Sequence, residues 1–317
     1  MNRTAHRVLA GAALLVGAAL ASGAAEAQPL RLMTGPQGGS WYPLGGAIQN
    51  LIQQGVPGAS VQVMPGAGII NVKGVQEGRA SLGFGNAVST VDGVNGDEPF
   101  EEPADNVCHL ASLYFQYFQI VVPANAGIEG VADLKGKAIG TQPRGNTGEQ
   151  MTRAILEVEG LSYDDLSNVN FVSYSDAVSL MKDGHIQGFM LITTVPASAV
   201  MDLASGMDVK VLEVSDEQLE ELKQLNAGYD QRTIPAGTYP KQEEDVQTFG
   251  TWTHLIGGCD LPEETAYQIT KTLAENTDQL GSIVAAMRDL TPEEMATDVG
   301  VPLHPGAEKY YKEVGVM

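Results

Sequence analysis

The feature that most constrains the fold of this chain is a pattern that occurs three times. In each case a short strand-like run leads through a glycine-bearing loop into a segment with helical spacing of its apolar residues. The loops are TGPQGGS at 34–40, PGAG at 65–68 and RGNT at 144–147. Strands that alternate with helices in units of about 30 residues are typical of a mainly parallel α/β sheet. The sequence therefore predicts an α/β fold.

Two longer strand-like runs interrupt these units, LYFQYFQIVV at 113–122 and TFGTWTHLIGG at 248–258. We interpret them as strands that cross between two lobes. The first lobe is predicted to comprise residues 28–121 and 249–317, with the second, 122–248, inserted between them. Such a molecule can close like a hinge around a ligand. A single doubly wound sheet is the alternative that the pattern leaves open. A helix is predicted after the second run, with Asp260 as its N-cap.

The first residues of the chain have the features of a secretory signal peptide. Arg3 and Arg7 precede an apolar run, and Ala25-Glu26-Ala27 matches a cleavage site. The apolar run is shorter than the ~20 residues that span a bilayer. We therefore expect residues 1–27 to be removed after Ala27. Because no later segment could cross a membrane, we expect an exported protein that is not membrane-embedded, located in the periplasm.

The composition is strongly acidic, with 39 Asp and Glu against 18 Lys and Arg and a net charge of −21. Such a field repels nucleic acid and anionic membranes, so neither is a predicted partner. The acidic residues are scattered, which is more typical of a solvated surface than of a cation site.

The sequence contains no H-E-x-x-H, G-x-S-x-G or P-loop motif. The histidines are scattered, and the two cysteines lack the spacing of a zinc site. We therefore predict no catalytic residue, no metal and no cofactor. His304, in the HPGA motif before a C-terminal helix, is interpreted as part of a structural turn.

The glycine loops are candidates for an anion site. In open α/β sheets ligands bind outside the carboxyl ends of strands, where exposed N–H groups and helix N-termini favour a carboxylate or phosphate. Arg144 could add a bidentate contact to a carboxylate. Trp41 and Tyr42 are adjacent, so one of them could line a cleft, and Tyr42 is the better candidate because of its hydroxyl. Thr193 and Thr194, at a strand end, could offer hydroxyls.

The residues also resemble a known family. The run TGPQGGSWYPLGGAIQNLI, the segments GVADLKGKAIG and KDGHIQGFML, and the ending PLHPGAEKYYKEVGV resemble the TAXI proteins, the TRAP-associated extracytoplasmic immunogenic solute receptors. The resemblance extends over essentially all of the chain after residue 27. It implies a type II periplasmic-binding-protein fold, capture of a small organic acid in the cleft, and delivery to a TRAP membrane permease. Known ligands of the family are glutamate and related C4 or C5 dicarboxylates.

The resemblance also implies a set of ligand-binding residues. The matching positions are Gly39, Ser40 and Tyr42 in the first loop, Gly68 and Asn71 in the second, and Gly145, Asn146, Thr147 and Gly148 in the third. Trp41 replaces the first of two usual tyrosines. Many members have a Q-S-D-like run where this chain has Asn86-Ala87-Val88. Asn86 is kept as a candidate ligand-binding residue, but the acidic residue of that run is missing here. With no carboxylate to meet an ammonium, we expect a hydroxy- or keto-dicarboxylate such as 2-oxoglutarate rather than glutamate.

A disulfide is predicted between Cys108 and Cys259. If the two long strands run antiparallel, their continuation brings these cysteines together, and the exported context permits the bond. Two free buried cysteines are the alternative.

Two other functions remain open at this point. An exported α/β enzyme acting on organic acids would need a catalytic set that no motif in the sequence supplies. A ligand-sensing subunit for a membrane kinase would have the same sequence features as a transport receptor.

Overall fold

The computed structural model of the protein describes residues 29–35 and 40–317. The signal peptide and Gly39 lie outside the described residues. Strands and helices alternate through most of the chain. The strands are β1 Leu30–Met33, β2 Val61–Met64, β3 Leu82–Asn86, β4 Val107–Pro123, β5 Ala138–Thr141, β6 Asn168–Phe171, β7 Gly188–Thr193, β8 Val209–Val211, β9 Asp230–Ile234 and β10 Val246–Gly258.

The helices form where the apolar spacing predicts them. In the first helix, Leu44, Ile48, Leu51 and Ile52 are buried along one face. The α-helices are α1 Trp41–Gly55, α2 Gly68–Gln76, α3 Ala87–Asn95, α4 Thr147–Val158, α5 Tyr174–Lys182, α6 Ser198–Gly206, α7 Asp216–Leu225, α8 Glu263–Ala274, α9 Thr277–Gly281, α10 Pro292–Met295 and α11 Pro305–Glu313, with short 3-10 helices at Val131–Leu134, Tyr163–Asp165 and Ala285–Met287. Among these helices none is long and apolar enough to cross a bilayer.

The ten strands form one mixed sheet. Its strand order is β2-β1-β3-β10-β4-β7-β5-β6, and β8 pairs with β4 while β9 pairs with β10. At one end β1 pairs in parallel with β2 and β3, and at the other β5 pairs in parallel with β6 and β7. The long strands β4 and β10 lie between them and pair antiparallel with each other. The mixed sheet excludes a doubly wound parallel sheet.

Two large hydrophobic clusters include opposite ends of the long strands. The first draws its residues from 30–114 and 255–311, and the second from 118–249 with Val88 of α3. Side chains of β4 contribute to both clusters, since Leu113 lies in the first and Phe118 in the second. The long strands are therefore the covalent connection between the two packed regions.

Cys108 on β4 and Cys259 just after β10 are joined by a disulfide. The antiparallel register of β4 and β10 places Cys108 opposite Gly257, two residues before Cys259. The N-cap prediction for the following helix is wrong. Helix α8 begins at Glu263 with Pro262 as its N-cap, so Asp260 lies outside it.

His304 supports a turn, as the sequence predicts. Its Nδ1 accepts a hydrogen bond from the Gly306 N–H at 3.1 Å, which caps α11, and its Nε2 lies 3.0 Å from the Leu261 carbonyl oxygen.

Candidate ligand-binding site

A cavity of about 160 Å³ lies between the two packed regions, at the carboxyl ends of parallel strands from each side. It is smaller than the roughly 300–1,000 Å³ typical of sites for drug-sized ligands, so it suits a molecule of few atoms. Its walls combine small residues, side-chain amides and hydroxyls, and a few apolar groups. They are Gly35, Ser40, Trp41, Ala67, Gly68, Asn86, Gln116, Gln142, Asn146, Thr147, Tyr174, Ile192 and Thr193.

Four helices begin at this cavity. Ser40, Ala67, Asn86 and Asn146 are the N-cap residues of α1, α2, α3 and α4, and all four line it. The N–H groups of Gly68 and Thr147 have no hydrogen-bond partner within the described part of the chain. Each helix N-terminus carries a partial positive charge of about half a unit. The cavity is therefore an environment that favours a negatively charged group.

No charged side chain lines the cavity among the described residues, since the set contains no Asp, Glu, Lys, Arg or His. Tyr174 is the one titratable group there, and burial raises its pKa. Its hydroxyl donates to the Ile192 carbonyl oxygen at 2.7 Å and accepts from the Ile192 N–H at 3.1 Å. Tyr174 thus presents a neutral ring to the cavity, with its hydroxyl held by β7.

Seven of the predicted residues line the cavity: Ser40, Trp41, Gly68, Asn86, Asn146, Thr147 and Thr193. Trp41 packs against Phe84 with ring centroids 5.6 Å apart, which holds it at the start of α1. The Ser40 hydroxyl lies 3.2 Å from the Tyr114 hydroxyl. Gly68 lies so close to Thr147 that a Cβ added there would come within 2.7 Å of Thr147 Oγ1.

Six predicted residues lie elsewhere: Tyr42, Asn71, Arg144, Gly145, Gly148 and Thr194. Tyr42 is 41% exposed, so Trp41 and not Tyr42 faces the cavity. Gly145 makes the left-handed turn, with φ +85°, that leads into α4. Thr194 is half-buried just beyond the end of β7, outside the set that lines the cavity.

Asn71 is fully buried beneath the site and supports it. Its Nδ2 donates to the carbonyl oxygens of Thr34 and Phe84, each at 2.8 Å, and its Oδ1 accepts from the Ala67 N–H at 3.1 Å. These bonds tie together the ends of β1 and β3 and the start of α2. Asn71 therefore positions the loops, and its amide has no hydrogen left for a ligand.

Arg144 lies on the outside of the molecule. Its guanidinium carbon is 4.6 Å from the centre of the Phe171 ring and 5.8 Å from that of Tyr163. The positive charge of the guanidinium is therefore stabilised by cation–π contacts with these two rings. The expected carboxylate contact of Arg144 is therefore not part of this cavity.

Six residues of the lining are not among the predicted ligand-binding residues: Gly35, Ala67, Gln116, Gln142, Tyr174 and Ile192. The glycine-loop pattern points to the neighbourhood of Gly35 and Ala67. Gln116 lies in the middle of β4, Tyr174 begins α5 and Ile192 lies in β7, and no local pattern marks such positions. They come to the site only because the sheet brings β4, β7 and α5 beside the four helix ends.

A pair of buried histidines, His109 on β4 and His254 on β10, lies away from the cavity. The Nδ1 atoms of His109 and His254 are 3.0 Å apart, and His254 Nε2 lies 2.8 Å from the Thr90 hydroxyl. Burial lowers the pKa of His109 to about 4 and also lowers that of His254. Both rings are therefore neutral at neutral pH. Over the described range no group of three or more His, Cys, Asp or Glu side chains could hold a metal ion.

Several solved structures share this architecture at low sequence identity. PhnD1 from Prochlorococcus marinus, in complex with methylphosphonate, is 12% identical over 91% of this chain and 99% of that chain, with a TM-score of 0.57. A TctC solute binding protein from Polaromonas is 18% identical over 91% and 98%, with a TM-score of 0.52. The alkanesulfonate-binding protein SsuA from Xanthomonas axonopodis pv. citri, bound to MOPS, is 16% identical over 91% and 85%, with a TM-score of 0.50.

These similarities confirm the predicted fold class, the two-lobe α/β fold of periplasmic binding proteins. The model of one sequence family matches residues 32–315, nearly all of the part of the chain that the structure describes. The chain belongs to the NMT1-like family.

Proposed function

We propose that this protein is an exported receptor that captures a small organic acid and delivers it to a membrane transporter. The observation that carries this proposal is the convergence of four helix N-termini on a small cavity without a charged side chain. Such a site holds an anion by dipoles and hydrogen bonds, and the residues of its lining that the structure describes include no nucleophile paired with a base. Binding without chemical change is the function that this arrangement supports.

The size and charge of the cavity limit the ligand. A volume of about 160 Å³ suits an acid of up to about five carbons. Among the described residues no Asp or Glu lines the cavity, which disfavours an ammonium group because the described lining would not neutralise it. The proposed ligands are therefore hydroxy or oxo acids of three to five carbons, including C4 and C5 dicarboxylates, in preference to glutamate.

The partner and the cellular context are proposed from the sequence. The resemblance to TAXI proteins favours a TRAP-type permease as the acceptor over a membrane kinase. The leader at residues 1–27 favours the periplasm. The lobe boundaries, 28–121 with 249–317 and 122–248, are part of the same proposal, and the two hydrophobic clusters support them.

A thermal-shift screen of C2 to C6 organic acids, followed by calorimetry and product analysis, tests the receptor function. At least one acid should raise the melting temperature and bind without being converted. Ala67→Leu, which fills the cavity, should abolish the shift, and Ala132→Leu at an exposed position should not. The proposal is rejected if no acid in the screen stabilises the folded protein, or if the bound acid is turned over.

A further inference from the structure

A chain of buried polar side chains leads away from the cavity along the interface between α3 and α4. Gln116 donates to Asn86 Oδ1 at 2.9 Å, and Asn86 Nδ2 donates to Thr147 Oγ1 at 2.9 Å. Thr147 Oγ1 lies 2.9 Å from Ser89 Oγ, which donates to Gln150 Oε1 at 2.9 Å. Gln150 Nε2 then donates to the carboxylate of Asp92. We call these six residues the relay.

The carboxylate of Asp92 sets the direction of every bond in the relay. An ionised carboxylate only accepts hydrogen bonds, so Gln150 must turn its NH₂ group toward Asp92 and its oxygen toward Ser89. Ser89 gives its one hydroxyl hydrogen to that oxygen and must accept from Thr147.

The same reasoning continues toward the cavity. Thr147 gives its hydrogen to Ser89 and must accept from the NH₂ group of Asn86. The oxygen of Asn86 then faces the NH₂ group of Gln116.

The second carboxylate oxygen of Asp92 also accepts a hydrogen bond, from the side-chain amide of Asn226. Asn226 Nδ2 donates to it and also to the Val88 carbonyl oxygen at 3.0 Å, while Asn226 Oδ1 accepts from the Gly228 N–H at 2.7 Å. Asn226 is therefore locked in one orientation and always offers Asp92 a donor. Burial raises the pKa of Asp92 to about 6, so the group is mostly ionised at pH 7.5.

The relay ends at the cavity with Gln116, whose side-chain oxygen makes no hydrogen bond to the described residues. Its NH₂ group donates to Asn86 and Thr253, and its Oε1 has no hydrogen-bond partner within the described part of the chain. Gln116 is only 8% exposed and lines the cavity. This oxygen faces the cavity, so a ligand that displaces water from it must replace the lost hydrogen bond, which favours a ligand that donates one to it.

We propose that Gln116 is a specificity-determining residue and that Asp92, acting through the relay, makes it a hydrogen-bond acceptor. The ligand class is therefore a small hydroxy acid, whose hydroxyl donates to Gln116 while its carboxylate lies at the helix N-termini. The matching oxo acid has no donor and leaves Gln116 unsatisfied. This inference rests on the proposed receptor function and narrows the substrate of the same site.

Calorimetry at pH 7.5 with matched pairs of acids tests the preference. The probes are lactate and pyruvate, 2-hydroxybutyrate and 2-oxobutyrate, and 2-hydroxyglutarate and 2-oxoglutarate. In the pair that binds best, the hydroxy acid should bind at least about tenfold more tightly than the oxo acid. Equal or tighter binding of the oxo acid overturns the inference and leaves the receptor function intact. No binding by any acid overturns both.

Asp92→Asn tests the role of the relay. Because Asn226 always offers a donor, the new amide must turn its oxygen toward Asn226 and its NH₂ group toward Gln150. Gln150 then flips, the relay reverses, and Gln116 presents NH₂ to the cavity. The ratio of hydroxy-acid to oxo-acid affinity should fall below one, a change that a merely weakened fold would not produce.

Asp97→Asn is the matched control. It removes a neighbouring exposed carboxylate that is outside the relay, and it should keep the wild-type ratio. Gln116→Met is a second variant that removes the acceptor directly, and its ratio should approach one. An unchanged ratio in Asp92→Asn, or in Gln116→Met should Asp92→Asn not fold, refutes the relay.

Discussion

Replacing Gly68 by alanine is the sharpest test of the close approach between the start of α2 and the start of α4. The new Cβ would lie 2.7 Å from Thr147 Oγ1, whereas its distances to Ser89 Oγ and Asn86 Nδ2, 3.8 and 3.9 Å, are ordinary contacts. The two sides must separate by about 0.7 Å or more to relieve the overlap. Since Gly68 begins α2 and Thr147 begins α4, the cost falls on closing the cleft.

The magnitude follows from what the separation breaks. Thr147 loses good geometry with Asn86 and Ser89, at about 0.5–1.5 kcal/mol for each hydrogen bond. Overpacking adds about 1–3 kcal/mol unless the structure relaxes. We expect a net loss of about 2–3 kcal/mol in ligand binding, which is a roughly 30- to 150-fold increase in Kd.

Calorimetry with the tightest-binding acid of the screen measures this change, and urea unfolding without ligand should show a stability within about 1 kcal/mol of the wild type. Gly46→Ala is the control, because a Cβ at that position in α1 meets nothing within 4 Å. If the Gly68→Ala protein binds within threefold of the wild type, the close approach of α2 and α4 is not part of the ligand-bound state.

Three further predictions concern residues outside the cavity. Arg144→Ala should leave ligand affinity within about twofold, because the guanidinium stacks on Phe171; calorimetry showing a loss of 1.5–3 kcal/mol would restore the carboxylate contact. In the unfolded chain His109 and His254 take up protons near pH 6.5, whereas burial lowers the pKa of both in the folded protein, so the free energy of unfolding should fall as the pH drops below 6.5, with His109 alone accounting for about 3 kcal/mol by pH 4. Urea unfolding should show a shallower fall in His109→Gln and the wild-type fall in His185→Gln, an exposed control. Reduction of the Cys108–Cys259 disulfide should cost about 2–5 kcal/mol, and mass spectrometry of the exported protein should find no free thiol.

The fold was more predictable than the site because its signals are local. The helical spacing from Leu44 to Ile52 lies within α1, and the run at 248–258 matches β10 to within two residues, whereas β4 begins six residues before the run at 113–122. The helix after β10 shows the limit of such signals. Asp260 is a good N-cap residue by type, but Pro262 already fixes the start of the helix two residues later.

The site depends on contacts between residues far apart in the chain. Arg144 is a plausible carboxylate partner by charge, and only the packing of Phe171 and Tyr163 beside it shows where it goes. The family resemblance implies Asn71 as a ligand-binding residue, but its amide is used by Thr34, Phe84 and Ala67. Gln116 carries no local signal, since its role comes from Asn86 and Thr253 on neighbouring strands.

The absence of charged side chains around the cavity has a kinetic consequence. An anion approaching a chain of net charge −21 is repelled until it enters the cleft, and this repulsion shortens from a range of about 30 Å at 0.01 M ionic strength to about 8 Å at 0.15 M. Added salt therefore speeds association. It has little effect on dissociation, because no charged side chain among the described residues lines the cavity to form an ion pair. For the receptor proposed above, we therefore expect ligand capture to be fastest in saline surroundings, the reverse of a receptor that attracts its ligand with arginines.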